Sequence, residues 1–198
     1  MEIYKNNKNM IHTIEEYFKP QTAKDIIKYF FLFWMLSCFV SCEKEELATM
    51  DYTPVSESTV YNRLVSRKNV TGYTEGTPWD NSNEYVSKVV WDGYEVYRGH
   101  GCFGFMMDMM EYASEYKCSM RKVYGTYNNL PQIHVGDGLR LENDKHSVVV
   151  LEVSSDGHTV TVAEANYGGT VHWGRVIDLS KVGVGFTYLF TFWSDTKK

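Results

Sequence analysis

Hydrophobic and polar positions are patterned most legibly in the last third of the chain. His146 to Val153 and His158 to Asn166 are β-branched-rich runs joined at Ser154-Ser155-Asp156-Gly157, which predicts a β-hairpin. Asp-Gly is a strong turn signal because a glycine at position 157 takes positive φ without steric cost. Val135 to Leu141 predicts a strand entering a sheet, and Val171 to Leu179 with Phe186 to Trp193 predict a last pair of strands. Upstream the period changes. After the glycines of Gly99-His100-Gly101, a helix is predicted to about Tyr116, with Phe105, Met106, Met109, Met110, Ala113 and Tyr116 approximating a core-facing stripe. Thr59 to Ser66 predicts a short first helix, Thr71 to Asp80 a loop punctuated by Gly and Pro, and Glu84 to Val90 fits a helix or an extended segment equally.

The N-terminal third has a different pattern. Residues Met1 to Lys28 are polar and mixed in charge. Tyr29 to Val40 is uncharged and largely apolar, yet too short for the roughly 20 residues a membrane-spanning helix needs. It fits the apolar region of a signal peptide. Val40-Ser41-Cys42 then resembles the lipobox of bacterial lipoproteins, with Phe39 where leucine is usual and a long region before it; a start at Met10 would shorten that region. The acidic Glu43-Lys44-Glu45-Glu46 resembles the surface-export signals of Bacteroidota lipoproteins, and a solvated linker would look much the same. These features predict a signal peptide over 1–41, a lipid-anchored tether over 42–58 with lipidation at Cys42, and one domain over 59–198.

Composition narrows the partners. A chain of 198 residues, 43% hydrophobic, supplies one packed domain with appendages. A formal charge of −5, with no lysine or arginine run, gives no electrostatic footprint for nucleic acid or anionic lipid. No Cys/His cluster has zinc-ligand spacing, so neither metal nor cofactor is expected, and a monomer is. Of four cysteines two fall in the domain. On one continuous helix Cys102 and Cys118 would stand about 24 Å apart, too far for a disulfide.

Cys102 sits at the predicted start of the apolar helix, where free backbone N–H groups and the dipole favour a thiolate. A cysteine there is either a small core residue or a nucleophile. The hairpin bears on that choice. A three-residue loop at 155–157 pairs 154 with 158, which places His146 opposite Asn166 and puts Glu164 one same-face step away. Imidazole, with a pKa near 6.5, takes a thiol proton and returns it to a leaving amine, while an oxygen acceptor on its other nitrogen fixes its orientation.

Gly136-Asp137, His146 with Ser147-Val148-Val149-Val150, and Thr161-Val162-Ala163-Glu164-Ala165-Asn166-Tyr167-Gly168-Gly169 together resemble the CHAP family (cysteine, histidine-dependent amidohydrolase/peptidase), within the papain-like superfamily that includes NlpC-type peptidases. The likeness runs from about Trp91 to Leu179. It implies an α+β, papain-like fold, with a nucleophile-bearing helix packed on an antiparallel sheet, and cleavage of amide bonds in peptidoglycan. It implies Cys102, His146, Glu164 and Asn166 as catalytic residues. Gly101 stands where the family usually has glutamine and Lys145 where it usually has glycine, so oxyanion support is expected from backbone N–H groups at Gly101 and the helix start, with His100. The expected protein is a cell-envelope lipoprotein acting on peptidoglycan or a peptide, as an N-acetylmuramoyl-L-alanine amidase or a crosslink endopeptidase. A protein-directed cysteine peptidase and a non-catalytic binding lipoprotein are the alternatives.

Overall fold

In the computed structural model, which describes residues 56–194, the chain opens with helix α1 (Glu57–Arg67). Ser56 caps it, its hydroxyl accepting from the Thr59 N–H at 3.3 Å, with Glu57 in the first turn and Arg67 in the last, as the helix dipole favours. The cap and first residues of this helix, Ser56-Glu57-Ser58, thus fall inside the stretch read above as tether. The expected signal peptide, Cys42 and the expected tether up to residue 55 lie outside the described residues.

Two short strands, β1 (Glu84–Val86) and β2 (Arg98–His100), pair with each other and lead into helix α2 (Gly101–Ala113). Six more, β3 (Arg121–Tyr124), β4 (Gly138–Leu141), β5 (His146–Val153), β6 (Thr159–Tyr167), β7 (Thr170–Asp178) and β8 (Tyr188–Thr191), form one antiparallel sheet in the order β3-β8-β4-β5-β6-β7. The fold is α+β, two helices against an antiparallel sheet. The last two strands exist as predicted but are not partners: β7 forms an edge on β6, and β8 inserts between β3 and β4. Burial explains it. Leu189 and Phe190 of β8 are both fully buried, one on each face, whereas Val176 of β7 is 65% exposed. Among the described residues no helix is long and apolar enough to cross a membrane.

Each face of the sheet carries its own core. Val149, Leu151, Ala163 and Ala165 face α2, and Val60 and Leu64 of α1 join the same cluster. Met106, Met107, Met109 and Met110 are all fully buried, so α2 is covered around its circumference rather than along one stripe. Val148, Val150, Val160 and Val162 occupy the opposite face in a cluster that also takes Val123 from one edge strand and Ile177 from the other. At about 1.5–3 kcal/mol for each fully buried aliphatic side chain, these two layers dominate the stability.

Helix α2 ends at Ala113 rather than Tyr116, because Glu115 and Tyr116 both adopt positive φ, 55° and 59°. Arg63 Nη1 donates to the Ala113 carbonyl at 3.0 Å, satisfying one of the terminal acceptors. Tyr116 is accordingly 37% exposed, and Cys118 lies past the helix instead of on it.

Candidate active site

The chain enters α2 through a fixed corner. Gly101 has φ +54°, and a Cβ at this position would run into Asn81 Oδ1 and lie 2.8 Å from Asn166 Nδ2. Only glycine fits. Its N–H donates to the Asn83 carbonyl and its own carbonyl accepts from Trp79 Nε1, both at 3.0 Å. The 79–83 loop is thus bolted to the residue before Cys102, and the loop is itself pinned where Ser82 N–H donates to Asp80 Oδ1 at 2.7 Å. These bonds overturn one expectation: the Gly101 N–H is committed to Asn83 and is not a free oxyanion donor. Nor does His100 turn toward Cys102 for support. It faces Glu84 across β1–β2, Nε2 to Oε1 at 3.8 Å, with more than half of its side chain exposed.

Further along, Gly104 brings α2 against β2: a Cβ there would stand 2.7 Å from the Gly99 carbonyl oxygen. The first turn consequently meets the end of the sheet where β5 begins. Cys102 Sγ lies 3.9 Å from the Lys145 carbonyl, within reach of the His146 ring and of the N–H and hydroxyl of Ser147.

The register that brings His146 there holds for a different reason than the sequence suggests. Near the site Val148 pairs with Glu164 and Val150 with Val162, as predicted, but Val153 pairs with Val160. The turn is one residue longer than expected, and an irregularity at Leu151 absorbs the extra residue. His146 and Glu164 therefore share a face, and His146 Nε2 is 2.6 Å from Glu164 Oε2. Asn166 does not join them. Its φ of +59° turns it off that face at a second irregularity, and its Nδ2 donates to Asn81 Oδ1 at 2.8 Å.

Arg175 on β7, which the sequence did not single out, completes the group. Its Nε and Nη2 form a fork on Glu164, the latter at 2.6 Å, and its guanidinium covers the Tyr167 ring at 4.5 Å. Glu164 is fully buried. Burial opposes its charge, yet the bonds from His146 and Arg175 outweigh that and hold its carboxyl below the usual range. With Nε2 held by this carboxylate, Nδ1 is the ring nitrogen left for the thiol. Burial also works against a charged His146, but Cys102 and Glu164 together push it up to about 9. For Cys102 burial is again the opposing influence. The bond and charge of His146, helped by Ser147, prevail and pull the thiol below its ordinary value. Both shifts favour the same state, a thiolate–imidazolium pair.

A pH dependence follows from the signs. The pair exists above the lowered thiol pKa and below the raised imidazolium pKa, so activity should fall on the alkaline side near pH 9. Glu164→Gln removes the charge that favours the imidazolium, so the alkaline limb of kcat/KM is expected to move to lower pH, with a loss of about 10²-fold at its optimum. An alkaline limb left in place would show that Glu164 does not act on His146.

Beside this group lies a pocket of about 620 Å³ bordered by Glu164, Arg175, Tyr167, His172 and Trp173. Tyr167 and Trp173 border the pocket, whereas Trp79 locks the Gly101 corner and Tyr97 stacks on the buried Trp91. Compared with protein-family models, with curated proteins and with solved structures, the chain finds no match. The assignment of roles rests on this geometry.

Proposed function

We propose that this chain is a cysteine-dependent amidohydrolase or peptidase of the cell envelope, papain-like and of CHAP type, cleaving amide bonds in peptidoglycan. The observation that supports it most is the line Cys102, His146, Glu164, in which the far ring nitrogen of His146 is fixed by a buried carboxylate at 2.6 Å. In the reaction the Cys102 thiolate attacks the amide carbonyl carbon, forming a C–S bond as the π electrons move to oxygen. Collapse of this intermediate breaks the C–N bond while His146 gives its proton to the departing amine, leaving a thioester. Water then yields a proton to His146 and attacks the thioester, and the carboxylate product departs from the restored thiolate.

The oxyanion needs donors, and the Gly101 N–H is spent. The Cys102 N–H, in the first turn of α2, is one. Asn81 supplies the other: its oxygen accepts from Asn166, so its carboxamide has N–H groups left to offer beside the residue that adjoins the nucleophile. Asn166 then acts through Asn81 rather than through His146. Asn81→Ala is expected to lower kcat by about 10²–10³-fold with KM little changed. Unchanged turnover would remove Asn81 from the mechanism.

Placement in the envelope rests on the Tyr29 to Cys42 segment, with Cys42 as the lipid-bearing residue of a surface or outer-membrane lipoprotein. The test is mass spectrometry of fragments released from purified sacculi. Bare glycan chains with free L-alanyl peptides identify an amidase, and opened crosslinks an endopeptidase. Intact sacculi, alongside cleavage of unrelated protein substrates, would contradict the peptidoglycan assignment.

A further inference from the structure

We propose that Arg140 and Ser147 form a relay that stabilises the ionised sulfur of Cys102 independently of His146. The proposal rests on Cys102 being the nucleophile and adds residues that the Cys-His-Glu line does not contain. Ser147 is fully buried on β5 and stands directly across from Arg140 of β4. Arg140 is itself nine-tenths buried, with its guanidinium fixed on three sides. Nε donates to Asp144 Oδ1 at 2.6 Å, Nη2 to the Asp144 carbonyl, and Nη1 to the Ser147 hydroxyl oxygen. Asp144 is held in turn by the Tyr188 hydroxyl at 2.8 Å.

A guanidinium has donors only. The Ser147 oxygen must therefore accept from Arg140, and its own proton must be given elsewhere. The acceptor at hand is the Cys102 sulfur: by strand alternation Ser147 lies on the face of β5 that Val149 turns toward α2, two residues past the Lys145 carbonyl that Cys102 Sγ approaches at 3.9 Å, and its hydroxyl and N–H both favour the ionised sulfur. The two protonation states differ on this point. As a thiol, Cys102 is the donor, toward the Lys145 carbonyl at 3.9 Å. As a thiolate it has no proton to give and accepts two bonds from Ser147. The hydroxyl bond is strengthened because Arg140 polarises it from behind. The groups facing the sulfur are thus the start of α2, the Lys145 carbonyl, His146 and Ser147 of β5, Arg140 of β4 behind Ser147, and Glu164 of β6 with Arg175 of β7 behind His146. Asp144 is half exposed and on the far side of the guanidinium.

The test is an ultraviolet titration of the Cys102 thiolate in the full chain, each protein read against the same protein carrying Cys102→Ser. Ser147→Ala and Arg140→Gln are each expected to raise the midpoint by about one pH unit, a tenfold loss of thiolate on its acid side. The double variant should rise no further than the larger single shift, because Arg140 acts through the hydroxyl. Ser147→Thr, which keeps the hydroxyl, should retain the wild-type midpoint and provides the comparison if the alanine variant folds poorly. Additive shifts, or a midpoint that ignores Ser147→Ala, would overturn the relay while leaving the nucleophile in place. An ordinary thiol midpoint in the wild type would instead sink the catalytic reading itself.

Discussion

Cys102→Ser is expected to reduce release of peptidoglycan fragments by about 10⁴–10⁶-fold with the thermal midpoint nearly unchanged. The two side chains are close in size, so the corner built by Gly101, Asn81 and Trp79 survives the change. What does not survive is the charge. A serine hydroxyl is far less acidic than a thiol, and the arrangement around position 102 is built for an anion already present. His146 is pushed up to about 9 partly by the Cys102 sulfur itself. Without that anion its pKa falls, and the imidazole must extract a proton from a weak acid in the transition state rather than before it. Residual activity within tenfold of wild type would place the chemistry elsewhere.

The second large effect is structural. Glu111→Ala is expected to destabilise the fold by about 3–5 kcal/mol in urea titration, against a total of about 5–15 kcal/mol for a domain of this kind. Glu111 is fully buried in a helix whose large buried side chains are methionine and phenylalanine. Its carboxylate takes the Tyr85 hydroxyl at 2.8 Å, the Lys88 N–H at 2.9 Å and the Trp91 indole N–H at 2.7 Å. Alanine leaves three donors without their acceptor, the Trp91 indole buried and the other two partly so, at about 1–3 kcal/mol for each that stays dry before any relaxation. Because these donors lie in and just beyond β1, which pairs with the strand leading into α2, activity should fall with stability. Glu111→Gln keeps an acceptor oxygen and should lose less than half as much. A loss below about 1 kcal/mol in the alanine variant would mean that the 84–91 segment finds other acceptors.

The difference between what was and was not readable in the sequence follows the range of the interactions. The β5–β6 hairpin was readable because turn chemistry and β-branched runs are local, and β5 spans the residues predicted. The helix carrying Cys102 was readable for the same reason, but its end was not, since the positive φ of Glu115 and Tyr116 has no glycine to announce it. His146 and Glu164 came together as the register required, yet only because an irregularity at Leu151 offset a longer turn. Counting residues through the loop gave the right pairing from Val148–Glu164 to Val150–Val162 and the wrong one beside the turn. Asn166 was misplaced because period-2 reasoning assumes extended backbone, and one left-handed residue breaks it.

Residues missed altogether are polar and long-range. Arg175 reaches Glu164 from the neighbouring strand, and Asn81 reaches Gly101 and Asn166 from a loop twenty residues before the helix corner. Arg140 and Ser147 read as ordinary strand positions until β4 and β5 are aligned. The one local clue was the absence of a side chain at Gly101, which marks a place where something else approaches closely.

The proposed chemistry turns on the ionisation of one sulfur. The most direct measurement is the pH dependence of Cys102 alkylation by iodoacetamide, read by peptide mass spectrometry with Cys118 in the same protein as the internal reference, in wild type and in His146→Ala. A midpoint for Cys102 well below that of Cys118, moving upward when His146 is removed, is the predicted result. Equal midpoints for the two cysteines, indifferent to His146, would contradict the account.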